Sequence, residues 1–434
     1  MPLVVPSPLT PNNVSKLMPS IGWYKKLGLV ASNQLLVEAC VFLRNIIIAR
    51  LIGAETLGEF IFLILSIRLF AMSTDLAVER FIMQTVQSSV TAAMAGAHYI
   101  IRIRSSLLSV ILLIMGLFNI QGISFTCFSL LAFGSLMRGF THQGYRLKQR
   151  DFNFKPALYV EAFSAAIATV TMYLVALHVP TLEAMCAVMA AQACVHTALS
   201  YLFSGGKYWA KAPFSMLKIQ VKFGLPLMFS GMAMFWSMQG ERVILSAVLP
   251  ATEFAHFSMM FQLALVPVLV AARMALTIGL PVLAKAKKTP AQFNKNLDQF
   301  QLYLAGFSVL FFIGFIAVAN PLLTALFGPD FQMAFTLILL VGTAQAIRLC
   351  RTPHSVAAQA QGQTDIPFKA NLVRVAAVPL ALLGISLGGS LALLLATACI
   401  GEALAWIVQR RLYRARNSCR ATQPTQLSQQ RIPQ

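Results

Sequence analysis

The stretch Arg44–Phe60, RNIIIARLIGAETLGEF, decides the fold. An apolar run carrying Glu38 and Arg44 ends at a glycine-bearing turn around Gly53, and a second apolar run begins within a few residues. The pattern predicts a helical hairpin with charge inside an apolar layer, because the glycine punctuates two runs each long enough for a membrane helix. The rest of the chain repeats this theme of apolar spans, uncharged turns on one side and basic loops on the other.

Of 434 residues, 58% are hydrophobic and 11% charged, too little polar surface to cover a soluble globule of this size. A bilayer core about 30 Å thick needs about 20 apolar residues per helix. The sequence offers about twelve such runs, near 27–49, 58–77, 99–118, 121–138, 156–178, 182–204, 220–240, 254–276, 300–320, 331–349, 370–387 and 389–408. The class is therefore an all-α integral membrane protein.

The net charge of +20 does not call for nucleic acid. Lys and Arg gather in alternate loops, at Arg146, Lys148, Arg150 and Lys155, at Lys207, Lys211, Lys218 and Lys222, at Lys285, Lys287, Lys288 and Lys295, and at Arg410, Arg411, Arg414, Arg416 and Arg420. Intervening turns such as Asn119–Gly122, His178–Leu182 and Leu387–Ser390 carry none. The positive-inside rule then places both termini in the cytoplasm, with the basic loops facing anionic membrane lipids. Prolines at 2, 6, 8 and 11 break any secretory leader, and Lys25 and Lys26 hold the start of the first span inside. Seven scattered cysteines without a CxxC pair read as apolar filler.

Gly205–Lys222 is the expected linker between two six-span halves, giving an N-terminal lobe at 1–204, a linker at 205–219, a C-terminal lobe at 220–416 and a disordered tail at 417–434. The second half restarts the first. Laying Arg44–Phe60 on Glu241–Phe257 pairs Ile47 with Ile244, Ala54 with Ala251 and Phe60 with Phe257, and sets Arg44-Asn45 against Glu241-Arg242.

Function is expected at the few ionisable residues at membrane depth, since such groups are costly there. Gln34, Glu38 and Asn45 share one face of the first span, with Arg44 about 100° away. Arg68, Asp75 and Glu79, seven and four residues apart on the second span, fall within about 20° of one line. Ser258, Gln262 and Arg273 share a face of the eighth, and Glu161 lies early in the fifth. There is no metal-ligand spacing, phosphate loop or nucleophile with a base, so neither metal nor cofactor is expected. Arginines in a bundle instead suit a diphosphate, which a planar guanidinium grips with paired hydrogen bonds while staying charged. Arg44, Arg68, Arg242 and Arg273 are the candidate anion ligands, with Glu38, Asp75 and Glu161 as counter-ions or coupling groups and Gln34, Asn45 and Gln262 as polar lining.

Five stretches occur in order: ARLIGAETLGEF (49–60), STDLAVERFIMQ (73–84), YRLKQRDFNFKPALYVE (145–161), FGLPLMFSGM (223–232) and LFGPDFQMA (326–334). Together they resemble the polysaccharide transporter, or lipid-linked oligosaccharide flippase, family. The resemblance implies two six-helix lobes around a central cavity. It also implies alternating access and passage of an undecaprenyl-diphosphate-linked oligosaccharide across a bacterial inner membrane, with a glycan polymerase as a possible partner. A multidrug and toxin extrusion exporter is the alternative, for which a more acidic lining is expected. A membrane-bound glycan polymerase or ligase is another, for which a large outer loop is expected. A structural scaffold gives no reason for intramembrane charge.

Overall fold

The computed structural model describes residues 21–85, 89–151, 153–205, 212–287, 289–363 and 365–421, without the side chains of 21–32, 151, 385–386 and 418–421. Segment 1–20, residues 206–211 of the expected linker, 422–434 of the expected tail and the side chains of Lys25, Lys26 and Arg420 lie outside this description, as does Lys288.

Among the described residues twelve helices correspond to the expected spans: α1 Ile21–Leu51, α2 Ala54–Ser73, α3 Val90–Leu117, α4 Phe125–Arg138, α5 Lys155–His178, α6 Leu182–Ser204, α7 Phe214–Val248, α8 Ala251–Ala286, α9 Pro290–Phe327, α10 Phe335–Ala360, α11 Asp365–Ser386 and α12 Leu391–Ala421. Among the described residues nine are long and apolar enough to cross a membrane, and α4 is a shorter apolar helix. Their faces explain why. On α9, Leu304, Ser308 and Phe315 are buried while Tyr303, Leu310 and Ile313 are exposed, an outward apolar surface suited to hydrocarbon.

The deciding hairpin folds as its sequence suggests. α1 ends at Leu51, Gly53 takes φ 125°, which glycine adopts without a Cβ penalty, and α2 starts at Ala54. In the second copy α8 starts at Ala251, the residue paired with Ala54. The α9–α10 turn is tied by Asn320, which donates to Met333 O and accepts from Met333 N, both at 3.0 Å.

The second span differs from its expected extent. α2 stops at Ser73, and Asp75 lies in the following turn. The hydroxyls of Ser73 and Thr74 donate back to Leu69 O and Phe70 O at 2.8 Å, competing for helix-end carbonyls. Ala77 then takes a left-handed φ of 48° before the short helix Val78–Gln84, which carries Glu79. Arg68, Asp75 and Glu79 therefore share no single helical line. α3 also begins earlier than expected, placing Arg102 and Arg104 inside it. α12 continues to Ala421, into the expected tail.

The described residues form two compact units, one within 1–47, 77–120 and 124–222, the other within 48–76, 121–123 and 223–434. The second unit groups α2 with residues 223–248 of α7 and with α8–α12. In the second unit a Cβ on Gly58 of α2 would collide with the backbone oxygen of Ala251, and one on Gly224 of α7 with that of Leu76. Glycine at both places lets backbones meet.

Candidate functional site

Two arginines define the candidate site in the second unit. Arg242 on α7 is 7% exposed, and its Nη1 donates to Gln239 Oε1 at 3.1 Å. Its Nε is buried without a hydrogen-bond partner. Arg68 on α2 is exposed and close enough for its charge to act on Arg242. Neither arginine makes an ion pair among the described residues. A desolvated guanidinium without an ion pair costs several kcal/mol by order of magnitude, and an anion with two or more oxygens would relieve that cost. In the same unit Gln262 is half-buried on α8 and Ser258 fully buried, its hydroxyl without a partner. Arg273 is exposed farther along α8 and takes part in contacts of its own.

The first unit uses its polar groups differently. Arg44 is 4% exposed, and its Nη1 donates to Gln192 Oε1 at 2.8 Å and approaches Met189 Sδ at 3.0 Å. Its Nε donates to Cys40 O at 3.3 Å. Asn45 is buried beside it in sequence, while Gln34 and Glu38 are exposed. Glu161 lies in a π-helical segment, Leu158–Phe163, of the kind often found at functional sites. It accepts from Asn33 Nδ2 at 2.9 Å and pairs with Arg146 Nη2 at 3.2 Å. Arg146 also pairs with Glu79 at 2.5 Å and donates from Nε to Tyr145 Oη at 2.9 Å. Burial acts to lower the affinity of this guanidinium for its proton, but Tyr145, Glu79 and Glu161 outweigh it and raise the value above the ordinary one. Burial pushes the Tyr145 phenol up, with Arg146 opposing.

One group of residues was not singled out from sequence. Glu402 on α12 is fully buried and bonded by Arg348 of α10 at 2.9 and 2.5 Å and by Arg374 of α11 at 3.1 Å, with Arg351 at 3.8 Å. Arg374 also pairs with Glu241 of α7. A lone acid inside the apolar run 389–408 was the available signal. Among the described residues no group of three or more His, Cys, Asp or Glu could hold a metal ion.

The helix bundle superposes on an inward-facing multidrug resistance transporter of the MATE family, with TM-score 0.69 and 15% identity over 90% of this chain and 96% of that one. It also superposes on the lipid II flippase MurJ in an inward closed conformation, with TM-score 0.73 and 12% identity over 88% and 87%. A third match is a transporter of the same MOP superfamily from Pyrococcus furiosus, with TM-score 0.53 and 17% identity over 92% and 97%. At these identities the likeness is one of fold: this is a multi-pass membrane protein with the architecture of MOP superfamily transporters. The chain belongs to the polysaccharide biosynthesis protein family, whose model matches residues 47–336. No curated protein matches it in sequence.

Proposed function

We propose that the protein is a flippase that moves an undecaprenyl-diphosphate-linked oligosaccharide from the cytoplasmic to the outer leaflet of a bacterial inner membrane by alternating access, for exopolysaccharide, capsule or O-antigen synthesis. The observation that carries this reading is Arg242, buried with a free Nε and within reach of the charge of Arg68, neither arginine making an ion pair among the described residues. Two guanidinium forks can hold the diphosphate by charge-assisted hydrogen bonds while the polyprenyl tail stays in lipid. The family supports a glycan-linked substrate, and the fold supports transport. Gln262 is the candidate for contact with the first sugars, and Glu38 and Asp75 are candidates for the charge that drives release. Arg44 already has Gln192 as acceptor and takes a supporting part. Both termini face the cytoplasm in this reading, and a glycan polymerase receives the product.

A multidrug exporter for cationic solutes is the second reading, favoured by the MATE-like fold. A pair of cations at the candidate site argues against it. Reconstitution into vesicles with labelled lipid-linked oligosaccharide, followed by measurement of its accessibility on each leaflet, tests the proposal. Equal loss of flipping in Arg68→Ala and Arg242→Ala at normal protein levels is the expected result; unchanged flipping in both sinks the assignment.

A further inference from the structure

Two helices of the second unit each carry a Gly-Glu step, Gly240-Glu241 on α7 and Gly401-Glu402 on α12. α11 presses on both. A Cβ on Gly240 would lie 2.9 Å from Val378 Cγ2. One on Gly401 would lie 2.8 Å from Ala377 Cβ and 3.5 Å from both Cδ and Nη1 of Arg374. The side chain delivered through this gap is Arg374, 2% exposed and among the largest fully buried side chains. Its Nε donates to Glu402 Oε1 at 3.1 Å and its Nη2 pairs with Glu241 Oε1.

The two carboxylates are not equivalent. Glu402 keeps Arg348 and Arg351 as further cations. Glu241, 3% exposed, has no ion-pair partner but Arg374 among the described residues. A buried carboxylate on one helix facing a second on another needs a cation between them, because desolvation of an unpaired charge is prohibitive. Here the chain supplies that cation itself, in a shape with several donors in a plane.

We propose that Arg374 is a tethered cation that fills a site for a guanidinium-sized monovalent cation between Glu241 and Glu402, so that this unit binds no exchangeable metal cation there. Glu241 is adjacent to Arg242, and the two side chains project about 100° apart on α7. Holding Glu241 against α11 therefore fixes the rotation of α7 at Arg242. This second consequence rests on the diphosphate reading above; the first does not. Arg374 acts as a positioning residue, with no contact to substrate.

The test uses the purified full-length protein and Arg374→Ala, with thermal unfolding in detergent at alkaline pH in N-methylglucamine, sodium, potassium or guanidinium salts at low millimolar concentration. The wild type should be indifferent to the cation. Arg374→Ala should unfold at lower temperature, and guanidinium alone should recover most of the loss, saturably, along with the half-saturating concentration for labelled lipid-linked oligosaccharide. A saturable sodium or potassium shift in the wild type, or no selective guanidinium rescue of the variant, overturns the proposal. If Arg374→Ala does not fold, the charge-balanced double variant Arg374→Met with Glu241→Gln decides. It should fold and ignore every cation, and its failure to fold overturns the proposal as well. Thermal rescue without effect of Arg242→Ala on flipping would leave the tethered cation standing and remove the diphosphate reading.

Discussion

Arg44 reaches from α1 to α6 and donates to Gln192 Oε1 at 2.8 Å, both side chains being buried. Gln192→Leu removes a neutral acceptor from a desolvated guanidinium while keeping most of the volume. The expected loss is about 1–3 kcal/mol of stability, read as an earlier denaturation midpoint, with flipping per folded molecule nearly retained. A variant as stable as wild type would show that this bond carries no net weight.

Arg242 should trade stability against function. Its charge is buried and without an ion pair among the described residues. Arg242→Met removes that desolvation cost at similar length, and a gain of about 1–4 kcal/mol is expected. The same variant should lose flipping of lipid-linked oligosaccharide. Thermal unfolding and vesicle flipping measured on one preparation check both signs. A destabilised but active Arg242→Met would contradict the prediction twice.

The helical skeleton was legible because periodic apolar runs and glycine turns are local signals; the start of α2 at Ala54 and of α8 at Ala251 even follows the pairing between the two copies. The charge network was less legible. Arg348 meets Glu402 across 54 positions, a choice made by helix packing that no spacing rule encodes. Glu161 was a visible candidate, but its partner Arg146 sat in a loop whose basic residues read as surface anchors. The line drawn through Arg68, Asp75 and Glu79 assumed an unbroken helix, and the hydroxyls of Ser73 and Thr74 end it first.

Gly58→Ala tests the contact between the two copies of the hairpin start. The added Cβ would overlap the carbonyl of Ala251, and backbone cannot rotate away as a side chain can. Overpacking at such a point costs about 1–3 kcal/mol or more. The expected outcome is a clear fall in thermal stability. Gly306→Ala serves as control, since its Cβ would meet no atom within 4 Å. Equal behaviour of the two variants would mean that α2 and α8 do not meet so closely.

Tyr145 gives a pH signature outside the spans. Its phenol is fully buried, and burial raises its pKa above the ordinary value of about 10. The folded state thus holds the phenolic proton more firmly than the unfolded chain. The sign follows from linkage: the stabilisation is complete below about pH 10 and is lost as pH climbs toward the raised folded value. Wild-type stability should therefore fall more steeply than that of Tyr145→Phe between about pH 9 and about pH 11. Tyr145→Phe also lacks the acceptor for Arg146 Nε, so it should start less stable at neutral pH and the two curves should converge with rising pH. Parallel curves across that range would show that the phenol ionises no later in the folded protein than in the unfolded chain.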